Sequence, residues 1–186
     1  MIKTSDAIVQ NGDPVLRANA APVPPSDIGT ERLNTIIKNM RLALEACDDG
    51  VAIAAPQIGV SLRIFVVSHR AFEIEDHEKN GDDQKPTSWE DKVFINPEII
   101  KVSRQRKLVP EGCLSVRWLY GNVPRHEKAT VRALDEHGKM FTYGASGLMA
   151  QIFQHETDHL NGTLFIDTAK DLEEITPSEL EKHSHS

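Results

Sequence analysis

The chain has 186 residues, 39% of them hydrophobic, with 21 Lys plus Arg against 28 Asp plus Glu and a formal net charge of −7. That length and apolar share fit one compact domain, and net acidity with no basic patch or aromatic-plus-basic motif argues against nucleic-acid binding. No apolar run reaches the roughly 20 residues that span a bilayer, Met1-Ile2-Lys3-Thr4-Ser5-Asp6 lacks the core of a signal peptide, and two cysteines make no disulfide framework; a cytoplasmic protein is expected.

In chain order, Asp13 to Pro25 reads as a proline-punctuated loop. A helix follows from about Thr30 to Cys47, with Leu33, Ile36, Ile37, Met40 and Leu44 at helical spacing and Gly50 as its stop. Cys47 continues the apolar side of that helix and reads as a small core hydrophobe. Strands are predicted at Arg63 to Ser68, Val93 to Ile95, Ile99 to Val102, Ala129 to Leu134 and Lys139 to Tyr143. Asp135-Glu136-His137-Gly138 joins the last two as a hairpin turn, so His137 is a turn residue rather than a ligand. Glu73 to Asp91 is rich in acids and poor in apolar residues, which predicts a mobile loop without a catalytic role; His69 and His77 beside it read as solvated. A second helix runs from about Ser146 to Leu160 and ends at Gly162. Lys170 to Ser186 is a polar tail with one short frayed helix at most, in which His183 and His185 bind nothing. Mixed antiparallel strands around a central buried helix give an α+β fold, with residues 1–186 as a single catalytic domain.

The second helix carries the chemistry in Gln154-His155-Glu156-Thr157-Asp158-His159-Leu160. At about 100° per residue, positions four apart differ by only about 40°, so both imidazoles leave one face and can bind one transition-metal ion. Glu156 then points beside that ion, where it can take a proton from an activated water. Such a pattern also occurs on solvated helices that bind nothing. Here, however, Leu148-Met149-Ala150-Gln151-Ile152-Phe153 is mostly apolar, the helix reads as buried, and buried imidazoles need partners. Cysteine, glutamate and histidine are the candidates for a third ligand. Cys113, in Pro110-Glu111-Gly112-Cys113-Leu114-Ser115, is the cysteine that helix packing does not explain, and Gly112 is expected to free the backbone that aims it.

Three segments in order resemble the peptide deformylases: Gly50-Val51-Ala52-Ile53-Ala54-Ala55-Pro56-Gln57, then Glu111-Gly112-Cys113-Leu114-Ser115, then the histidine helix. The likeness runs from about Asp13 to Asp167. It implies a metal held by Cys113, His155 and His159, ferrous iron in the cell with zinc, nickel or cobalt as substitutes. It implies Glu156 as general base, with the Gln57 side chain and the Leu114 N–H as donors to the oxyanion. The implied reaction removes the formyl group from an N-terminal formyl-methionine and releases formate. Gly50, Val51, Ala52, Leu148, Gln151 and Ile152 would line the peptide groove. Asp49 and Arg125 would form a buried pair, Glu111 and Gln154 would orient the ligands, and Ser115 would only close a turn. The implied partners are nascent formylated peptides, with the ribosome as a place of encounter, and a monomer or weak homo-oligomer is expected.

Two positions and one segment, the insertion-like acidic stretch Glu73 to Asp91, depart from the family pattern. Ala52 replaces a glycine and is expected to narrow the groove, and Gln151 places an amide on a wall that is usually apolar. The alternatives are therefore a deformylase-like hydrolase with altered substrate preference and a non-catalytic metal- or peptide-binding relative. A zincin-type peptidase drawing on Glu173 or Glu174 is a further rival, but it leaves the Glu111-Gly112-Cys113 segment unexplained.

Overall fold

The computed structural model describes residues 8–81 and 89–176. Its elements are α1 (Glu31–Glu45), β1 (Ala52–Ala54), β2 (Ile64–Val67), α2 (His69–Asn80), β3 (Lys92–Val102), β4 (Arg106–Cys113), β5 (Val116–His126), β6 (Lys128–Leu134), β7 (Met140–Ser146), α3 (Gly147–Leu160) and β8 (Lys170–Glu174). Five strands form one antiparallel sheet in the order β1-β2-β3-β6-β7, and β4-β5-β8 form a second. This is the expected α+β arrangement, with α3 buried at its centre.

Alternation along the strands sorts the core into two layers, because successive side chains leave opposite faces of a sheet. Ile53, Ile64, Val66, Val93 and Ile95 pack with Leu33, Ile37, Met40 and Leu44 of α1. Ala54, Phe65, Val67 and Phe94 turn the other way, onto Met149, Ile152 and Phe153 of α3. Phe65 and Phe94 stack with centroids 4.5 Å apart, and Phe153 meets Phe94 at 5.4 Å. α3 is thus gripped along one side by aromatic rings, leaving its other side for polar groups.

Five local expectations change. The two strands predicted around Asn96-Pro97 are one strand, β3, whose register shifts between Ile95 and Glu98. Asn96 takes φ +50 there and its side chain accepts from Val23 N–H and donates to Val23 carbonyl, so a bulge absorbs the proline instead of ending the strand. Pro110–Gly112, where no strand is predicted, is the end of β4, and β4 pairs with the equally unforeseen β5. Residues 73–80 of the acidic stretch are helical, because Ala71 and Phe72 anchor the first turn of α2 in the core and Phe72 stacks on Trp89. His69 is bonded to Asp91 at 3.0 Å through Nδ1 instead of being merely solvated. Residues 82–88, on which the rest of the mobile-loop expectation falls, lie outside the described residues, as do His183 and His185. The tail begins with an exposed strand, β8, paired to β5, and its remainder, residues 177–186, on which the rest of the short-helix expectation falls, lies outside the described residues.

Asn161 and Gly162 end α3, with Gly162 at φ +72 and its α-carbon pressed against the Arg17 backbone. A β-carbon there would lie 2.6 Å from the Arg17 carbonyl oxygen. Gly162→Ala should therefore lower unfolding free energy by about 1–3 kcal/mol, read as a lower urea midpoint with an unchanged slope.

Candidate functional site

A two-residue turn, Leu114-Ser115, joins β4 to β5 and leaves Cys113 at the end of β4. Gly112 is needed for space rather than for freedom of the backbone. Its φ is not positive, and a β-carbon would meet the ring of Tyr120, its cross-strand partner, at 2.6 Å. The Cys113 sulfur comes to 3.2 Å from His159 Nε2, and ligand atoms of Cys113, His155 and His159 lie within 4.8 Å of one another. Two donors on one tetrahedral cation, at about 2.3 Å for sulfur and 2.0 Å for nitrogen, sit roughly 3.5 Å apart. The 3.2 Å between the Cys113 sulfur and His159 Nε2 is already close to that spacing. Among the described residues no other group of His, Cys, Asp and Glu converges this way.

Glu111 fixes the first of these rings. One of its oxygens lies 3.0 Å from His155 Nδ1, which leaves Nε2 for the centre of the trio. The same carboxylate takes two hydrogen bonds from Arg125, at 2.7 and 2.9 Å, in a fork that matches its geometry. Arg125 spends its remaining nitrogen on Asp158 at 2.6 Å. Burial works to raise the Glu111 carboxyl, but the hydrogen bonds from His155 and Arg125 outweigh it and hold the group at about 2. Since the folded value lies below the ordinary one, the stabilisation from this pair is full at neutral pH and fades only as pH falls toward 2.

The two rings differ in what surrounds them. Burial depresses both, but hydrogen bonds with Cys113 and Glu111 win at His155 and push it well above an ordinary imidazole. At His159 burial wins, reinforced by the neighbouring His155, and its buried Nδ1 has no partner. Glu156, 4% exposed, is pushed up by burial to about 7, and its Oε2 is buried without a hydrogen bond. An unpaired carboxylate beside two imidazoles and a thiol is an expensive arrangement unless something charged or polar binds among them. The donor set therefore fits a divalent metal ion.

Gln57 reaches the site from a 3-10 turn, Ala55–Ile58, closed by Gly59 in the left-handed region. Ala54 N–H donates to Gln57 Oε1 at 2.8 Å, so the amide nitrogen must turn the other way. It points to Ser115 Oγ at 3.2 Å and to the Cys113 sulfur at 3.6 Å. Ser115, fully buried, is thus a partner of Gln57 and more than a small turn residue.

A cavity of about 760 Å³ opens over this centre. Gly50, Val51 and Ala52 form one wall and Pro110 to Leu114 face them, while Leu148, Gln151, Ile152, His155 and Glu156 of α3 lie at the base. Ala52 takes no strained backbone angle and is largely buried. Two expected contacts are replaced. Asp49 is exposed and pairs with Arg117 at 2.8 Å, because Arg125 is already saturated by Glu111 and Asp158. Gln154 does not touch a ligand; it accepts from His126 N–H and donates to the His126 and Ala150 carbonyls, pinning α3 to the end of β5. Sequence reasoning passed over Asp158, Arg117, Trp118 and Tyr120. Asp158 had a signal, since a carboxylate embedded in an otherwise buried helix requires a cation nearby.

That equipment, in a mixed helix and sheet fold, is that of a metal-dependent hydrolase. Residues 5–174 match the family described as polypeptide deformylase. Peptide deformylase from Dehalococcoides mccartyi is 39% identical over 170 residues, 90% of this chain and 89% of that protein. Chloroplastic peptide deformylase 1A of Solanum lycopersicum is 40% identical over 164 residues, 86% of this chain but 58% of the longer plant protein. Among solved structures, a Met-Ala-Ser-bound class I type b peptide deformylase from Acinetobacter baumannii superposes with a TM-score of 0.73 at 34% identity, covering 87% of this chain and 96% of that one. The chain belongs to the polypeptide deformylase family, enzymes that remove the formyl group from the amino terminus of newly made peptides.

Arg125→Met leaves the Glu111 carboxylate buried with one hydrogen-bonded ring. It should destabilise the protein by about 3–5 kcal/mol in urea denaturation, whereas Asp49→Ala, at an exposed pair, should change stability by about 1 kcal/mol or less.

Proposed function

We propose that the cavity hydrolyses the formyl-methionine end of a nascent peptide, with Cys113, His155 and His159 holding one divalent cation at its base. The observation that carries this reading is the convergence of those three donors beside a buried carboxylate that has no partner of its own. A thiolate with two imidazoles suits borderline metals, so ferrous iron in the cell, with zinc, nickel or cobalt as substitutes, is the assignment we favour. The cation, when bound, supplies Lewis acidity to a water and to the formyl oxygen.

Everything else is done by the chain. Glu156, poised near neutrality by burial, takes the proton of the attacking water and returns it to the leaving amine. Gln57 is held with its N–H groups toward the sulfur, where an oxyanion growing on the formyl carbon would meet them, and the Leu114 N–H at the same turn is the second donor. β1 is an edge strand, bonded to β2 on one side only, and its neighbour Gly50-Val51 flanks the cavity. An extended peptide laid there gains main-chain hydrogen bonds whatever its sequence, which suits an enzyme acting on many nascent chains. We assign the protein to the cytoplasm, as one catalytic domain acting as a monomer or weak homo-oligomer on peptides at or near the ribosome; no described helix is long and apolar enough to cross a membrane. Glu173 and Glu174, the donors a zincin would need, sit on the exposed strand β8.

Glu156→Ala should keep its metal by elemental analysis yet lose roughly 10²–10⁴-fold in formate release from formyl-Met-Ala-Ser. Cys113→Ser should lose metal on anaerobic dialysis. Full retention of metal by the serine variant, or of activity by the alanine variant, would overturn the assignment.

A further inference from the structure

Leu148, Gln151 and Ile152 precede His155 on the cavity side of α3. Given that the formyl carbon reacts beside His155 and Glu156, the first side chain of the peptide falls against these three residues. Two of them are hydrocarbon. Gln151 crosses to the opposite wall, where its Nε2 donates to the Pro110 carbonyl of β4 at 2.8 Å. A carbonyl oxygen can only accept, so the nitrogen end of the amide is fixed against Pro110 and the oxygen end is turned away from it. Among the described residues nothing donates to that oxygen, and it is not sealed in the interior. The Gln151 oxygen is thus an unfilled acceptor outside the sealed interior, on a side chain that lines the cavity and is already anchored by its other end.

We infer that Gln151 is a specificity-determining residue that admits N-formyl peptides whose first side chain is unbranched and ends in a hydrogen-bond donor. Glutamine is the nearest case, being close to methionine in length and shape. Against a hydrocarbon wall its amide would be stripped of water with nothing to bond. That penalty disfavours such a substrate by roughly 5- to 100-fold. An acceptor already in place removes part of it. Anchoring to Pro110 matters as much as polarity, because a free glutamine side chain would have to be ordered on binding, whereas this one is held beforehand. A thioether is indifferent to the change, since the methylene groups of Gln151 still offer it an apolar surface.

This inference rests on the hydrolysis reading, so the test separates the two. Formate release is measured for formyl-Met-Ala-Ser, formyl-norleucine-Ala-Ser and formyl-Gln-Ala-Ser on metal-loaded wild type, Gln151→Met and Gln151→Ile. Binding of the products Met-Ala-Ser and Gln-Ala-Ser is measured by calorimetry on the same proteins. The glutamine-to-norleucine ratio of kcat/KM should fall about 5- to 20-fold in both variants, with the methionine-to-norleucine ratio unchanged, and product affinities should shift alike. Ratios flat within about twofold across all three proteins overturn the inference while leaving hydrolysis intact. A shift in product binding with no formate from any substrate supports the pocket assignment and overturns the hydrolysis reading. The isosteric methionine variant covers the case in which the β-branched one packs badly.

Discussion

The buried Glu111–Arg125 fork holds together two parts of the chain that would otherwise have no reason to meet. Glu111 sits on β4 two residues before Cys113, and its carboxylate also bonds the His155 ring of α3. Arg125 sits on β5 and closes the circuit by gripping Asp158, one residue before His159. The register between the small sheet and the central helix is thereby set by a buried Glu111–Arg125 pair and its partly buried partner Asp158. A slip of one residue along β4 would turn Glu111 to the other face and strand both ions. The sulfur and the imidazoles meet because this fork allows one alignment.

Around it, the larger sheet acts as a platform whose two faces do different work. Its α1 face carries apolar packing, with Ile53, Ile64, Val66, Val93 and Ile95 against α1. Its α3 face combines stacked phenylalanines below the helix with polar groups above, so the helix is fixed in rotation as well as in position. Glu156 can then be kept buried and unpaired, a state that a loosely held helix would relieve by turning toward solvent.

Much of the site could be read before any coordinates. The four-residue spacing of His155 and His159 survives any context that keeps the helix, and Cys113 stood out because helix packing explained Cys47 but not Cys113. What could not be read were partnerships decided at a distance. Asp49 and Asp158 look alike as letters, yet Arg125 can satisfy only so many oxygens, and its pairs with Glu111 and Asp158 leave Asp49 to Arg117. β4 and β5 were hidden for a similar reason. Proline and glycine usually break strands, but here Pro110 offers a carbonyl to Gln151 and Gly112 makes room for the Tyr120 ring. The acidic stretch misled because composition averages over two ends, and the buried Ala71-Phe72 pair was enough to start a helix.

The end of α3 is tied to the beginning of the chain: Ala20 N–H donates to the Leu160 carbonyl, and Arg17 lies against Gly162. The donors themselves are gathered from β4 and α3, 46 residues apart in the case of Cys113 and His159. Contacts so remote in sequence form only at the expense of the loop-closure entropy of the intervening chain. A copy of this protein synthesised only as far as β7 has no trio to offer an ion, and capture of the ion requires that α3 has docked against the end of β4.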